Sequence, residues 1–179
     1  MRFVLLIVLS ALSLAVCAEP TVSVVRVLKS ERKLQLWAGP QLLHEFPVAL
    51  GSSPLGHKQQ EGDGKTPEGR YVLDYRKADS AFYKALHVSY PNAQDLAAAR
   101  ARGVNLLGGV VQVVHLGRPA RGVNPGGLIM IHGQKNGLGW LAFLSQRFDW
   151  TQGCIALRNE HMDILWRLTP LGTPVDIRP

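Results

Sequence analysis

The chain has 179 residues, of which 20 are Lys or Arg and 13 are Asp or Glu, so its formal net charge is +7 with neutral histidines. This length suits a single domain that can bury a sufficient core without disulfide bonds. The excess of positive charge favours anionic surroundings such as cell-wall polymers, anionic glycolipids or carboxylate-bearing substrates. The basic residues are scattered and form no stripe interleaved with aromatic residues, which argues against a nucleic-acid partner and leaves a merely soluble basic surface as an equal alternative.

The first residues are typical of an export signal. Arg2 precedes a mainly apolar run, interrupted by Ser10 and Ser13, which ends in small residues followed by a polar Glu-Pro pair. This pattern predicts a signal peptide over residues 1–18, because the run is too short and wrongly flanked for a stable membrane span. The remaining residues, 19–179, are predicted to form one domain located in the periplasm or cell envelope.

The two cysteines then have different fates. Cys17 leaves with the signal peptide, so Cys154 is the lone thiol of the mature chain. The alternative is a lipid anchor at Cys17, which would require cleavage after Val16, a bulkier residue than such processing prefers. A single thiol in an oxidising compartment is either buried and inert or kept for its reactivity.

The first half of the domain is predicted to be a meander of short antiparallel strands. TVSVVRVLK, KLQLW and LLHEFPVAL, between residues 21 and 50, have β-branched and alternating apolar residues bounded by turn formers. The segment 51–69 is rich in glycine, proline and polar residues, which indicates a long surface loop. Strands are predicted to resume at RYVLDY and again near ALHVSY.

The second half adds two helices and the last strands. NAQDLAAARAR predicts a helix from about residue 93 to 102, and LIMIHG predicts a buried strand ending at His132. A second helix is expected over about 160–168, with Asn159 as its cap, before a closing strand at TPVDI. The inner side of this helix is predicted to carry Met162, Leu165 and Trp166. The fold class is therefore mainly β with two or three short helices, arranged as a sandwich or open barrel.

A direct repeat interrupts this pattern. ARGVN begins at Ala101 and again at Ala120, and removal of residues 101–119 would join Arg100 to the second copy without disturbing either pattern. Residues 101–119 are therefore a candidate insertion, with coincidence as the alternative. Our hypothesis is that this apolar, hairpin-like segment lies beside the functional cleft as a flap.

A reactive Cys154 needs a nearby base or cation, because the thiolate is the nucleophilic form. Of the six histidines, His132 is the best candidate base, since it ends an apolar strand and precedes Gly133, where the backbone can turn sharply. His161 is close in sequence but is expected on a helix surface, and His87 is an intermediate case. The others are predicted to be structural or solvated, namely His44, His57 and His115.

The residue before the cysteine is also informative. Gly153 allows close backbone approach, and the N–H groups of Gly153 and Cys154 are placed to converge on a developing oxyanion. On its own, Gly-Cys leaves open the alternative of a small buried cysteine packed beside a tight turn. The sequence has no HxxxH or CxxC pair and no phosphate-loop spacing, so neither a metal nor another cofactor is predicted.

Taken together, the motifs resemble a known family. IMIHG at 129–133 and TQGCIAL at 151–157 resemble the paired His-Gly and Ser/Thr-x-Gly-Cys motifs of the L,D-transpeptidase family, the YkuD-type catalytic domain. GKTPEGRY at 64–71 is similar to that family's Thr-Pro-x-Gly-aromatic element, and LTPLGTPVDI to its closing strand. The resemblance implies a YkuD-like β-rich fold and a cysteine acyl transferase acting on peptidoglycan stem peptides.

The resemblance also implies roles for individual residues. Cys154 would be the nucleophile, His132 its base, and Gly133 the source of a backbone carbonyl that orients the imidazole. The N–H groups of Gly153 and Cys154 would form the oxyanion hole, and Thr151 would brace the turn. In family terms, the thiolate attacks the carbonyl of the third stem-peptide residue and expels a terminal D-amino acid, and an amine then takes the acyl group from the thioester.

The sequence departs from the family pattern at two positions. Ala156 stands where the family often has arginine, so Arg158 is the predicted substitute for binding a substrate carboxylate. Gln152 stands where some members have histidine, so no second histidine is expected there. Thr151, Arg158 and Trp150 are the predicted substrate-binding residues, with simple packing as the alternative for the tryptophan.

Several functions share these features. The same thioester can be passed to water, as in a carboxypeptidase, or to a protein amine, which would attach a wall-bound protein as acyl acceptor. A sortase-like cysteine transpeptidase is a further alternative, although the Gly-Cys arrangement and the Thr-Pro-x-Gly element favour the first family. From another class, the chain could be a catalytically inactive module that binds the cell wall through its basic residues.

Overall fold

The computed structural model describes residues 20–104, 106 and 125–179, and only the backbone of residues 141–143. The predicted signal peptide, 1–18, lies outside the described residues. So does most of the candidate insertion, 101–119. Both therefore stay predictions.

The described strands form one sheet in the order β3-β2-β1-β8-β4-β5-β6-β7. The β1–β8 and β6–β7 pairs are parallel, and the other neighbours are antiparallel. The strands are β1 Val24–Leu28, β2 Lys33–Ala38, β3 Gln41–Pro47, β4 Gly69–Ser80, β5 Tyr83–Val88, β6 Met130–His132, β7 Ile155–Ala156 and β8 Pro174–Arg178.

The alternating sequence pattern explains how the strands form the core. In β1, Val25 and Val27 are fully buried while their neighbours are partly exposed, and Leu34 and Leu36 repeat this pattern in β2. Full burial of one such side chain stabilises the fold by roughly 1.5–3 kcal/mol. The predicted meander is confirmed, and so are the later strands, including the one that ends at His132.

The helices are short and lie between the strands. Helix α1 spans Ala93–Ala101, and a capping box between Asn92 and Asp95 fixes its first turn, which confirms that prediction. A 3₁₀ turn at Gly139–Leu141 leads into α2, Ala142–Ser145. No helix within the described ranges is long and apolar enough to cross a membrane.

Helix α3 spans Asn159–Leu168 and packs against β5 through Met162 and Leu165, which are fully buried, whereas Trp166 is only partly buried. The predicted cap at Asn159 is wrong. The N-cap residue is Arg158, without a side-chain cap hydrogen bond. The side-chain oxygen of Asn159, Oδ1, instead accepts the Gln134 N–H at 2.8 Å.

The prediction of a long surface loop at 51–69 is also wrong in part. Lys58 is 1% exposed and Thr66 is fully buried, because this segment folds back against the chain that precedes β7. The contact begins at two isolated β-bridges, one between Ala49 and Ala156 and one between Gly51 and Thr151. The segment that follows β3 therefore lies along the outer side of β7, at the other end of the sheet, as expected of a sandwich or open barrel.

Candidate active site

Cys154 lies directly after the turn at 151–153 and directly before β7. Its sulfur accepts a hydrogen bond from the Met130 N–H at 3.4 Å and donates one to the Leu128 carbonyl at 3.4 Å. These weak bonds hold the side chain against the segment that leads into β6. The residue is partly exposed and unpaired with another cysteine, so it is not sealed in the core like an inert thiol.

Strand register places His132 near this sulfur. β6 and β7 run parallel, with Ile131 opposite Ile155 and His132 opposite Ala156. Side chains alternate along each strand, and ladder partners share a face. Extending this register by one residue beyond β7 puts Cys154 on the same face as His132, opposite the buried isoleucine pair. From ideal strand spacing and rise, we expect their Cα atoms to be about 8 Å apart.

The His132 ring is fixed in one orientation. Its side chain is 4% exposed, and its Nδ1–H donates to the Gly133 carbonyl oxygen at 2.7 Å. A carbonyl only accepts, so Nδ1 carries the proton of the neutral ring, and Nε2 is left as the acceptor nitrogen. Phe82 and Trp150 pack around the ring, with centroid distances of 4.7 Å and 6.0 Å. The histidine is therefore held in the tautomer that a base requires.

The surroundings keep both groups neutral at rest. Burial lowers the pKa of His132, and its bond to Gly133 opposes this in part. Burial raises the pKa of Cys154, and the Met130 N–H and the positive charge of Lys58 oppose this in part. At neutral pH the proton is therefore on the sulfur, and the imidazole is free to accept it.

Thr151 braces the turn before the cysteine. Its hydroxyl donates to the Cys154 carbonyl at 2.7 Å and accepts the Gly153 N–H at 3.1 Å. Asp149 fixes the start of the turn, because its carboxylate accepts the Leu50 N–H at 2.9 Å. The Gly153 N–H, predicted to serve the oxyanion hole, is thus already engaged within the turn.

Only glycine fits at position 153. Its φ is +123°, and an added Cβ would lie 2.4 Å from the Lys65 carbonyl oxygen and 3.3 Å from Lys58 Nζ. The turn therefore presses directly on the 51–69 segment.

We expect Gly153→Ala to lower the free energy of unfolding by at least about 2 kcal/mol, because it adds a backbone clash to a strained φ. Gly172→Ala is the matched control, since Gly172 has φ +86° with nothing within 4 Å of an added Cβ. It should cost only about 1 kcal/mol. Urea unfolding measures both, and equal losses would contradict the proposed crowding.

Lys58 and Asp63 belong to this neighbourhood but were missed by sequence reasoning. Lys58 Nζ lies 2.8 Å from Asp63 Oδ1, and the lysine is among the most buried side chains. Nothing in the local sequence distinguishes this lysine from a solvated one, because its burial depends on the distant turn at 151–153. Within the part of the chain that is described, no group of three His, Cys, Asp or Glu side chains could hold a metal ion.

The comparison with known proteins decides the family. The family profile described as the YkuD L,D-transpeptidase catalytic domain matches residues 22–177. The chain belongs to the L,D-transpeptidase family.

Several proteins are similar to this L,D-transpeptidase domain. "Putative L,D-transpeptidase YafK" of Escherichia coli K12 is 32% identical over 131 residues, which cover 70% of this chain and 44% of YafK. The helical cell shape determining protein Pgp2 of Campylobacter jejuni has a TM-score of 0.58 at 22% identity, covering 88% of this chain and 47% of Pgp2. Bd1075 of Bdellovibrio bacteriovorus has a TM-score of 0.56 at 23% identity, covering 88% and 48%. The chain thus spans about half the length of these relatives, and the structural likeness shows the YkuD-type fold.

The L,D-transpeptidase motif positions are tightly packed. At Gly133, an added Cβ would lie 2.6 Å from Asn159 Oδ1 and 2.8 Å from Tyr83 Cβ. Asn159 does not cap the helix. Its side chain instead supports the segment that carries the Gly133 carbonyl.

Trp150 and Arg158, two of the predicted substrate-binding residues, have different surroundings. Trp150 packs edge-on against the His132 ring, and its buried Nε1 has no hydrogen-bond partner among the described residues. Arg158 lies beyond the end of β7, with its NH1 3.9 Å from Glu160 Oε1. This loose contact is at the limit of an ion pair, so it leaves the guanidinium free to bind another anion.

The other described histidines have structural contacts. His161 stacks on Phe46, with a centroid distance of 4.5 Å, and His44 stacks on the same ring at 5.5 Å. His87 Nδ1 lies 2.6 Å from Asp74 Oδ1, and His57 Nε2 lies 3.1 Å from Asp95 Oδ1. His115 lies outside the described residues.

Proposed function

We propose that this chain is an exported, cysteine-dependent L,D-transpeptidase that acts on peptidoglycan stem peptides in the cell envelope. The observation that carries the proposal is the parallel pairing of β6 with β7, which brings the segments of His132 and Cys154 side by side, together with the hydrogen bond that fixes Nδ1 of the histidine on Gly133. Membership of the family supports the substrate class, and the basic charge suits an anionic wall polymer.

In the first half-reaction, His132 Nε2 takes the proton from Cys154, and the sulfur attacks the carbonyl carbon of the third stem residue. The tetrahedral intermediate collapses when the C–N bond to the terminal D-amino acid breaks. His132 returns the proton to the departing amine. The products are a thioester on Cys154 and a free D-amino acid.

The Cys154 N–H is the leading donor to the oxyanion in this scheme. The Gly153 N–H contributes only if the substrate oxygen displaces Thr151 Oγ1, which accepts it at 3.1 Å. Thr151 therefore has a bracing role, and the backbone of the turn supplies the stabilising dipole.

In the second half-reaction an acceptor amine attacks the thioester carbonyl, and His132 removes its proton. The Cys154 sulfur then leaves and is protonated again. Trp150 offers an apolar wall beside the imidazole, and Arg158 is the candidate partner for a substrate carboxylate. Water or a protein amine in place of the stem-peptide amine would give the carboxypeptidase or protein-attachment reaction.

A carbapenem should acylate the protein and add the drug's mass on the peptide that contains Cys154. The reason is that an activated thiolate opens the strained lactam, which resembles the acyl donor. Peptide mass mapping after incubation measures the adduct. Absence of an adduct would favour the inactive wall-binding module.

Incubation of the mature chain with purified stem tetrapeptides then identifies the acceptor. Mass spectrometry distinguishes new crosslinks from shortened stems, and a wall-bound protein added to the mixture tests for protein adducts. We expect crosslinks with loss of one D-amino acid per bond formed.

A further inference from the structure

An ion pair is buried in the segment 51–69, next to the candidate site. The Lys58 side chain is 1% exposed, and its Nζ lies 2.8 Å from Asp63 Oδ1. Asp63 is itself fixed, because its carboxylate oxygens also accept three backbone N–H groups, those of Gln59, Gln60 and Lys65, at 2.7–3.1 Å. The position of the ammonium is therefore set by the fold of the loop.

The lysine points at the turn that carries the cysteine. An added Cβ on Gly153 would lie 3.3 Å from Lys58 Nζ, and an added Cβ on Gly127 would lie 3.2 Å from Lys58 Cε. These two glycines directly precede Cys154 and Leu128, the residues joined by the sulfur hydrogen bond. The absence of side chains at both glycines thus makes room for the Lys58 side chain against the two backbone segments that flank the sulfur.

We propose that Lys58 is a positioning residue that stabilises the Cys154 thiolate through its buried positive charge. This inference rests on the proposed function, because it gives Lys58 a task at the same site. In a low-dielectric environment a fixed charge against the turn that carries the sulfur acts more strongly than it would in water. Neutral His132 supplies no such charge at rest.

Stability alone does not explain this ion pair. Burying two charges costs several kcal/mol of desolvation per ion, and well-packed apolar residues in their place are often neutral or stabilising. Among the described residues, the titratable groups in this neighbourhood include Lys58, Asp63 and Glu61 from the loop and His132 from β6. Of these, the charge of Lys58 acts on the thiol in the direction of a lower pKa.

The decisive variants separate charge from packing. Lys58→Met keeps the length of the side chain but leaves the Asp63 carboxylate without its cationic partner, so the double variant Lys58→Met/Asp63→Asn removes both charges together. Lys58→Arg keeps the cation. Asp63→Asn keeps the lysine and removes the opposing charge. Thermal unfolding confirms that each variant is folded before it is used.

The measurement is the rate of Cys154 alkylation by iodoacetamide as a function of pH. In the double variant we expect the midpoint to rise by about one pH unit, so that alkylation at pH 7 slows about tenfold. Lys58→Arg should stay within about threefold of wild type, whereas Asp63→Asn should react faster, since the cation is then unopposed.

An unchanged profile in the folded double variant would overturn the inference, as would equal slowing in Lys58→Arg. If the double variant does not fold, the alkylation rate of Asp63→Asn tests the inference. Slower alkylation in Asp63→Asn than in wild type would contradict a role for the positive charge of Lys58. Alkylation requires no stem peptide. Failure of the proposed function would instead appear as absent wild-type turnover beside a normal alkylation profile.

Discussion

Cys154→Ala is expected to abolish acyl transfer and the carbapenem adduct while leaving the fold intact. The substitution removes the only atom that can form the thioester, and no neighbouring nucleophile lies in the turn at 151–153 to replace it except the Thr151 hydroxyl, which is engaged with the Cys154 carbonyl. The structural cost is small, because it comprises the two weak sulfur hydrogen bonds, on the order of 1 kcal/mol in total.

The measurement is mass spectrometry of stem peptides after incubation with the variant, together with its thermal unfolding midpoint. Cys154→Ser is the matched control, since its hydroxyl can keep both hydrogen bonds but is a far weaker nucleophile at neutral pH. Turnover retained by a folded Cys154→Ala protein would rule out the thioester mechanism.

His132→Gln should slow acylation by about 10²–10⁴-fold at neutral pH, because no base remains to take the thiol proton. Burial raises the pKa of Cys154 above its usual 9.0, so the uncatalysed thiolate is scarce at pH 7. The variant should therefore recover activity as the pH rises toward the thiol pKa.

Wild-type acylation should also lose rate at low pH, which is a second effect of His132. Because burial lowers the pKa of His132 below its usual 6.5, wild-type acylation should persist at pH 6.5 and fall only at lower pH, where the imidazole becomes protonated. Stopped-flow acylation by a carbapenem measures both profiles. His44→Gln, on β3 beside Phe46, is the control and should match wild type. If the acylation rate of His132→Gln still fell at low pH as in wild type, the group that titrates there would be another residue.

The same shift affects stability. Below pH 6.5 the unfolded chain binds a proton at this histidine before the folded chain does, so the free energy of unfolding falls as the pH decreases through the lowered pKa. His132→Gln should reduce this loss.

The sequence predicted the strands well where one face is buried. β1, β2 and β8 alternate in both sequence and burial, so local periodicity carries the information needed. The capping box at Asn92 is equally local. Asn159 was misassigned because a capping residue and a tertiary hydrogen-bond acceptor have the same chemistry, and the partner, Gln134, is distant in sequence.

The parts of the site that could be predicted are those whose residues are neighbours in the sequence. Gly153 and Gly133 are next to Cys154 and His132 in sequence, and their crowded surroundings explain why only glycine fits there. Lys58 and Asp63 could not be predicted, because a polar, glycine-rich segment normally indicates a solvated loop. Their burial follows from contacts with a turn almost a hundred residues later.

The bridges from Ala49 and Gly51 also limit how a substrate can approach. The Ala49 N–H donates to the Ala156 carbonyl and the Ala156 N–H donates to the Ala49 carbonyl, at 3.0 Å and 2.8 Å, so the outer backbone groups of β7 are already paired. A stem peptide therefore cannot join the sheet as an added strand at this edge. The stem peptide proposed as substrate would therefore have to be held by side chains and loops around Cys154, without backbone pairing to the outer edge of β7.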